Sequence, residues 1–143
     1  AYLSQYGFGL YPCEMCLWQR WPHVAALGLA LVAVPAPPGT RWRRLALALA
    51  AGAIATSGAI GLFHAGVEYG WWEGITPCAV RTGAAGAGSA LDAVLATPLV
   101  RCDVAPWRFL GVSLAGWNAA LSLGAALAIW VLLAARARGR EQV

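Results

Sequence analysis

The sequence predicts an all-α membrane protein, a transmembrane helical bundle of three spans with one long outer loop. Three observations carry this reading. Of 143 residues, 60% are hydrophobic and only 11% charged, whereas a soluble domain carries about 25% charged residues. Three stretches hold no formal charge: Trp21–Thr40, Leu45–Val67 and Phe109–Ala135, of 20, 23 and 27 residues. Roughly 20 apolar residues are enough to cross a bilayer. All ten basic residues are arginines, and six of them fall in two short segments, the asymmetry that marks cytoplasmic loops. The same figures exclude a disordered chain, which needs low hydrophobicity. They also make the net charge of +4 a topology signal, so no nucleic-acid partner is expected.

Taken in order, Ala1–Pro12 is too short to span, reaching about 18 Å even as a helix. It reads as an interfacial segment or as the end of a helix that begins upstream. The first span covers about 17–34, ended by Pro35, Pro37 and Pro38. An inner loop, 35–44, carries Arg41, Arg43 and Arg44; the second span covers about 45–67. The outer loop covers about 68–111, and the third span about 112–135. The tail holds Arg136, Arg138 and Arg140. The arginine-rich segments put the loop and tail in the cytoplasm and 68–111 outside. The whole chain, 1–143, is then a single transmembrane domain. A soluble bundle of buried helices is the alternative, but such helices rarely pass twenty residues without a charge.

Within the outer loop, Thr82–Ser89 is rich in Gly and Ala and should be flexible. Ser89-Ala-Leu-Asp92 resembles a capping box, and Leu91, Val94 and Leu95 recur at helical spacing. A short amphipathic helix on the membrane surface is expected there. Trp18, Trp21, Trp71, Trp72 and Trp107 fall near the outer interface, as aromatic belts do. In the last span, small residues recur at Gly116, Ala120, Gly124 and Ala128, a stripe suited to close helix packing.

With this topology all four cysteines face the outer compartment, which in bacteria is oxidising. Cys13-Glu-Met-Cys16 is a CxxC, the spacing of labile, redox-active pairs. Cys78 and Cys102 are separated by 23 intervening residues of the loop and look accessible to a protein partner. One reactive pair beside one loop pair suggests electron relay by thiol–disulfide exchange. Structural disulfides that staple the outer loop are a second reading, and a Cys₄ zinc site a third, though the loop pair lacks short ligand spacing. Arg20 follows Cys16 by four positions, on one helical face. It either snorkels to the interface or stabilises a thiolate and pairs with an anionic or carbonyl-bearing ligand. His64 and Glu68 stand one turn apart at the outer end of the second span. Ionisable groups at that depth are functional candidates, with a plain hydrogen-bonded pair as the alternative.

The run Tyr11-Pro-Cys13-Glu-Met-Cys16-Leu-Trp-Gln-Arg20 resembles the signature of the disulfide bond formation protein B (DsbB) family, whose P-C-x-x-C-x-x-x-R opens the second of four helices. Cys102-Asp-Val-Ala-Pro-Trp107-Arg-Phe-Leu-Gly111 is similar to the family's passage from its last loop cysteine into the final helix. The resemblance covers about Gly9 to Ala135. It implies four spans with both ends cytoplasmic, so that Ala1–Leu10 would be the outer end of a first helix lying upstream. It also implies an activity in the bacterial inner membrane: reoxidation of a periplasmic DsbA-like thioredoxin-fold thiol oxidase, with electrons passed to membrane quinone, ubiquinone or menaquinone. Cys78 would be attacked by the partner, Cys102 would attack Cys13, and Cys16 would be left as the thiolate facing the quinone. Arg20, His64 and Glu68 would be the quinone-side residues. A vitamin K epoxide reductase-like enzyme shares this logic, but its CxxC comes late in the chain.

Overall fold

The computed structural model describes residues 2–9, 12–75, 80–81 and 99–141. Cys78, Thr82–Ser89 and the helix expected around Ser89–Leu95 lie outside the described residues. Within them the helices are α1 (Tyr2–Phe8), α2 (Glu14–Ala33), α3 (Arg41–Glu68) and α4 (Leu114–Glu141). Strands β1 (Val80–Arg81) and β2 (Leu99–Val100) pair antiparallel, Val80 opposite Val100. Strands β3 (Arg108–Phe109) and β4 (Val112–Ser113) form a hairpin that leads directly into α4.

Two of these helices, α3 and α4, are long and apolar enough to cross a membrane. In α2, polar Gln19, Arg20 and His23 interrupt the apolar sequence in the first turns. Leucines such as Leu27, Leu31, Leu49, Leu121 and Leu127 point outward and are exposed, as a surface facing hydrocarbon requires. The five tryptophans expected at the outer interface are exposed as well.

Each helix end has a local cause. Cys13 caps α2, its sulfur accepting the Cys16 N–H at 3.3 Å. Thr40 caps α3, its Oγ1 accepting the Arg43 N–H at 3.3 Å. At the far end of α3, the Gly70 N–H bonds to Val67 O at 3.1 Å and the Trp71 N–H to Gly66 O at 2.8 Å. This is the Schellman pattern, with Gly70 in the left-handed region at φ 72°. The chain then folds Trp72 back onto α3. Its ring stacks on Phe63 at 5.6 Å and its Nε1 donates to Phe63 O at 2.9 Å. Only glycine allows this at residue 66, because a Cβ there would stand 2.1 Å from the Trp72 ring.

The central helix is α3, which packs against α2 on one side and α4 on the other. Its approach to α4 is close. A Cβ at Gly58 would lie 2.8 Å from Leu123 Cγ, and one at Gly61 would lie 2.9 Å from Asn118 Nδ2 and 3.0 Å from Ala115 O. The α4 face buried there is Ala115, Ala119, Ser122 and Ala126. The expected stripe is corrected by this: Gly116 lies against Val112, but Ala120 and Ala128 are exposed and Gly124 faces open space. In an alanine-rich helix, small residues recur on every face. The polar side chains Asn118 and Ser122, which need partners inside the bundle, select the face that turns inward.

Gly61→Ala is therefore expected to destabilise the purified protein by about 1–3 kcal/mol, the usual cost of overpacking. Gly124→Ala should leave the thermal midpoint unchanged or raise it slightly, as helix propensity dictates. Thermal unfolding in one detergent compares the two.

Candidate active site

The functional residues gather at the end of the bundle where α2 begins and α3 ends. Cys13 and Cys16 lie ahead of the apolar stretch that begins at Leu17. The helical turn between them brings their sulfurs to 2.8 Å, with the Cys13 thiol donating to Cys16. From α3, His64 reaches across and sets its Nε2 3.5 Å from the Cys13 sulfur. Glu68, one turn on, places Oε1 3.8 Å from the same Nε2, and both side chains are almost fully buried. The other oxygen of Glu68, Oε2, is buried and has no hydrogen-bond partner among the described residues.

Cys102 joins this group from the far side of the chain. The β1–β2 pair returns the backbone towards the bundle, and Cys102 packs in one apolar cluster with Cys13, Met15 and Val67, with Cys16 and Phe63 at its edge. Sequence reading placed Cys102 on an accessible loop. The structure buries it instead, 1% exposed, because Met15 and Val67 offer an apolar seat beside Cys13. Cys13 and Cys16 are free thiols in this arrangement. Cys102 and Cys13 are therefore two members of one buried cluster. The loop cysteine Cys78 lies outside the described residues.

The two CxxC thiols differ electrostatically. Donation from Cys13 pulls the Cys16 thiol down to about 5, and His64 adds to this against the opposing effect of burial. The same hydrogen bond, with burial, holds Cys13 far above the ordinary thiol range. Cys16 is thus the stable thiolate and the better leaving group in exchange.

Arg20 makes a contact with α1. Its Nη1 donates to Gln5 Oε1 of α1 at 2.7 Å, and the stabilisation of Cys16 comes from Cys13 and His64. As metal donors, Cys13, Cys16 and His64 lie within 4.8 Å of one another. Two thiolates on a tetrahedral ion would stand roughly 3.7 Å apart, given metal–sulfur bonds of about 2.3 Å. The 2.8 Å contact suits sulfur exchange better than shared coordination.

The structure adds polar residues that sequence reading passed over. Gln19 Nε2 lies 2.9 Å from His64 Nδ1, and Gln19 Oε1 accepts from Asn118 of α4 at 2.8 Å. Ser57 of α3 donates to Gln19 O at 2.8 Å. A signal was present: Gln19, Ser57 and Asn118 are polar residues within otherwise apolar helices, where such groups turn towards other helices. Beside the site, the Tyr69 hydroxyl donates to Gly111 O and accepts from the Ser113 N–H, each at 3.3 Å, tying the hairpin to α3.

In the reduced protein, alkylation of Cys16 should persist well below neutral pH. A lowered pKa keeps the thiolate populated until the pH falls through about 5. Replacing the donor in Cys13→Ala should raise this midpoint towards the ordinary thiol value near 8.5. Peptide mass spectrometry of pH-stepped alkylation reads both.

The family model for disulfide bond formation protein DsbB matches residues 1–132. Disulfide bond formation protein B of Aromatoleum aromaticum is 33% identical over 94% of this chain and 82% of its own length. The protein of the same name from an Azoarcus species is 31% identical over 96% of this chain and 84% of its own length. No solved structure gives a significant match. With its helical membrane-type bundle and its paired thiols beside a buried histidine, the chain belongs to the DsbB family of disulfide bond formation proteins.

Proposed function

We propose that this protein is a protein-disulfide:quinone oxidoreductase of the bacterial inner membrane. It reoxidises a periplasmic dithiol oxidase of the thioredoxin fold and delivers two electrons to membrane quinone. One observation carries the reading: Cys102, Cys13 and Cys16 meet in one cluster with His64 against Cys13. Three neighbouring sulfurs are what a chain of thiol–disulfide exchanges needs.

In this mechanism the apolar part of α2, from Leu17, crosses the membrane beside α3 and α4, and the cysteine end of the bundle faces the periplasm. The protein begins with two disulfides, Cys78–Cys102 and Cys13–Cys16. The partner's thiolate attacks Cys78; a mixed disulfide forms, the Cys78–Cys102 bond breaks, and Cys102 leaves as a thiolate. Cys102 attacks Cys13, breaking the Cys13–Cys16 bond. The electron pair of that bond stays on Cys16, the sulfur whose environment favours the charge. The partner's second thiol resolves the mixed disulfide and releases Cys78.

The residues present fit a quinone. Cys16 is only half-buried, Glu68 Oε2 is a buried oxygen without a partner among the described residues, and Arg20 lies one turn along α2. Cys16, His64, Glu68 and Arg20 would hold it. When bound, ubiquinone or menaquinone supplies a two-electron, two-proton sink. The protein's own part is to keep Cys16 ionised, to hold a proton at His64 and to exclude water with Met15, Phe63 and Val67.

Incubation with a partner whose resolving cysteine is changed to alanine should give a mixed disulfide on non-reducing gels. The adduct should be absent with Cys78→Ala and present with Cys16→Ser. An adduct that survives Cys78→Ala would overturn the proposed entry point.

A further inference from the structure

The site rests on an amide relay that decides where His64 carries its proton. Gln19 is its hub, and its side chain is buried. Gln19 Nε2 makes two contacts, Met15 O at 3.2 Å and His64 Nδ1 at 2.9 Å. Gln19 Oε1 accepts from Asn118 Nδ2 at 2.8 Å. Asn118 Nδ2 also meets Ser57 O at 3.2 Å, and Asn118 Oδ1 accepts from the Ser122 hydroxyl at 3.0 Å.

Both amide orientations are determined by atoms that cannot change role. Backbone carbonyls only accept. A flipped Gln19 would press Oε1 against Met15 O, and a flipped Asn118 would press Oδ1 against Ser57 O. Flipping both would restore the Gln19–Asn118 bond but leave both carbonyl collisions. Gln19 must therefore present an N–H to His64 Nδ1. A nitrogen that receives a hydrogen bond is the bare one of a neutral imidazole, so the ring proton belongs on Nε2. A doubly protonated ring would set N–H against N–H. Nε2 is the atom that faces the Cys13 sulfur at 3.5 Å and Glu68 Oε1 at 3.8 Å.

We propose that Gln19, braced by Asn118 and the carbonyls of Met15 and Ser57, is a positioning residue that locks His64 as the neutral Nε2–H tautomer. The imidazole then offers a hydrogen-bond donor to the sulfurs of the pair, Cys13 at 3.5 Å and Cys16 beside it, and does not act as a base for Cys13. In each exchange at Cys13, negative charge passes over that sulfur, and a donor there stabilises the charge. The effect on exchange rests on the thiol-relay reading above; the tautomer rests on the geometry alone.

The test is ¹⁵N NMR of the full chain in detergent micelles, labelled at histidine, at a pH where the ring is neutral. Signals of His64 are assigned by their loss in His64→Asn. The expected result is a pyridine-type Nδ1 and a pyrrole-type Nε2. In Gln19→Glu, an oxygen accepts where the amide donated, so the proton should move to Nδ1. Exchange at Cys13 with a small disulfide should then slow about ten- to a hundredfold, the effect of losing a charge-assisted hydrogen bond. A pyrrole-type Nδ1 in the wild type, or a spectrum unchanged by Gln19→Glu, would refute the assignment. If the variant does not fold, the wild-type spectrum decides alone. A protein that shows the Nε2–H tautomer but oxidises no dithiol partner would refute the relay reading and leave the tautomer standing.

Discussion

A glutamine amide inside an apolar bundle must use its hydrogen-bonding groups or lose their solvation, at a cost of about 1–3 kcal/mol for each one stranded. Gln19 meets this demand by drawing on all three long helices: Met15 of its own α2, His64 of α3 and Asn118 of α4. Much of the architecture follows. Asn118 can reach Gln19 only past α3, so α3 must be slim at the crossing, and Gly58 and Gly61 make it so. Once those backbones are in contact, the rotation of α4 is determined, and with it the start of the hairpin that Tyr69 ties down.

The same set of bonds couples packing to chemistry. The relay ends on His64 Nδ1, and the opposite side of that ring meets the sulfur of Cys13. Cys13 in turn caps α2 and donates to Cys16. One sulfur thus terminates a helix, keeps its own proton and leaves its neighbour ionised. Cys102 completes the cluster from a segment that is distant in the chain. The site is an assembly of short polar contacts inside an apolar shell, where such contacts are strengthened by low polarity.

What could be read from the residues was mostly local. The CxxC spacing, the His64–Glu68 separation of one turn and the apolar lengths of α3 and α4 are properties of single segments. What escaped depends on how segments meet. Cys102 is buried because a β1–β2 pairing across the loop returns it to Met15 and Val67, a contact no local pattern announces. Arg20 turns to Gln5, which requires knowing where α1 lies. The packing face of α4 was misassigned because alanine and glycine occur all round that helix. The information lies in Asn118 and Ser122, whose polar groups need partners inside the bundle.

The central claim is that Cys13 and Cys16 form the protein's inner redox pair. The most direct measurement is disulfide mapping, by non-reducing mass spectrometry, of fully reduced protein given one equivalent of quinone without oxygen. The account predicts that the first disulfide formed joins Cys13 to Cys16. A first disulfide between Cys78 and Cys102, with Cys13 and Cys16 still reduced, would contradict it.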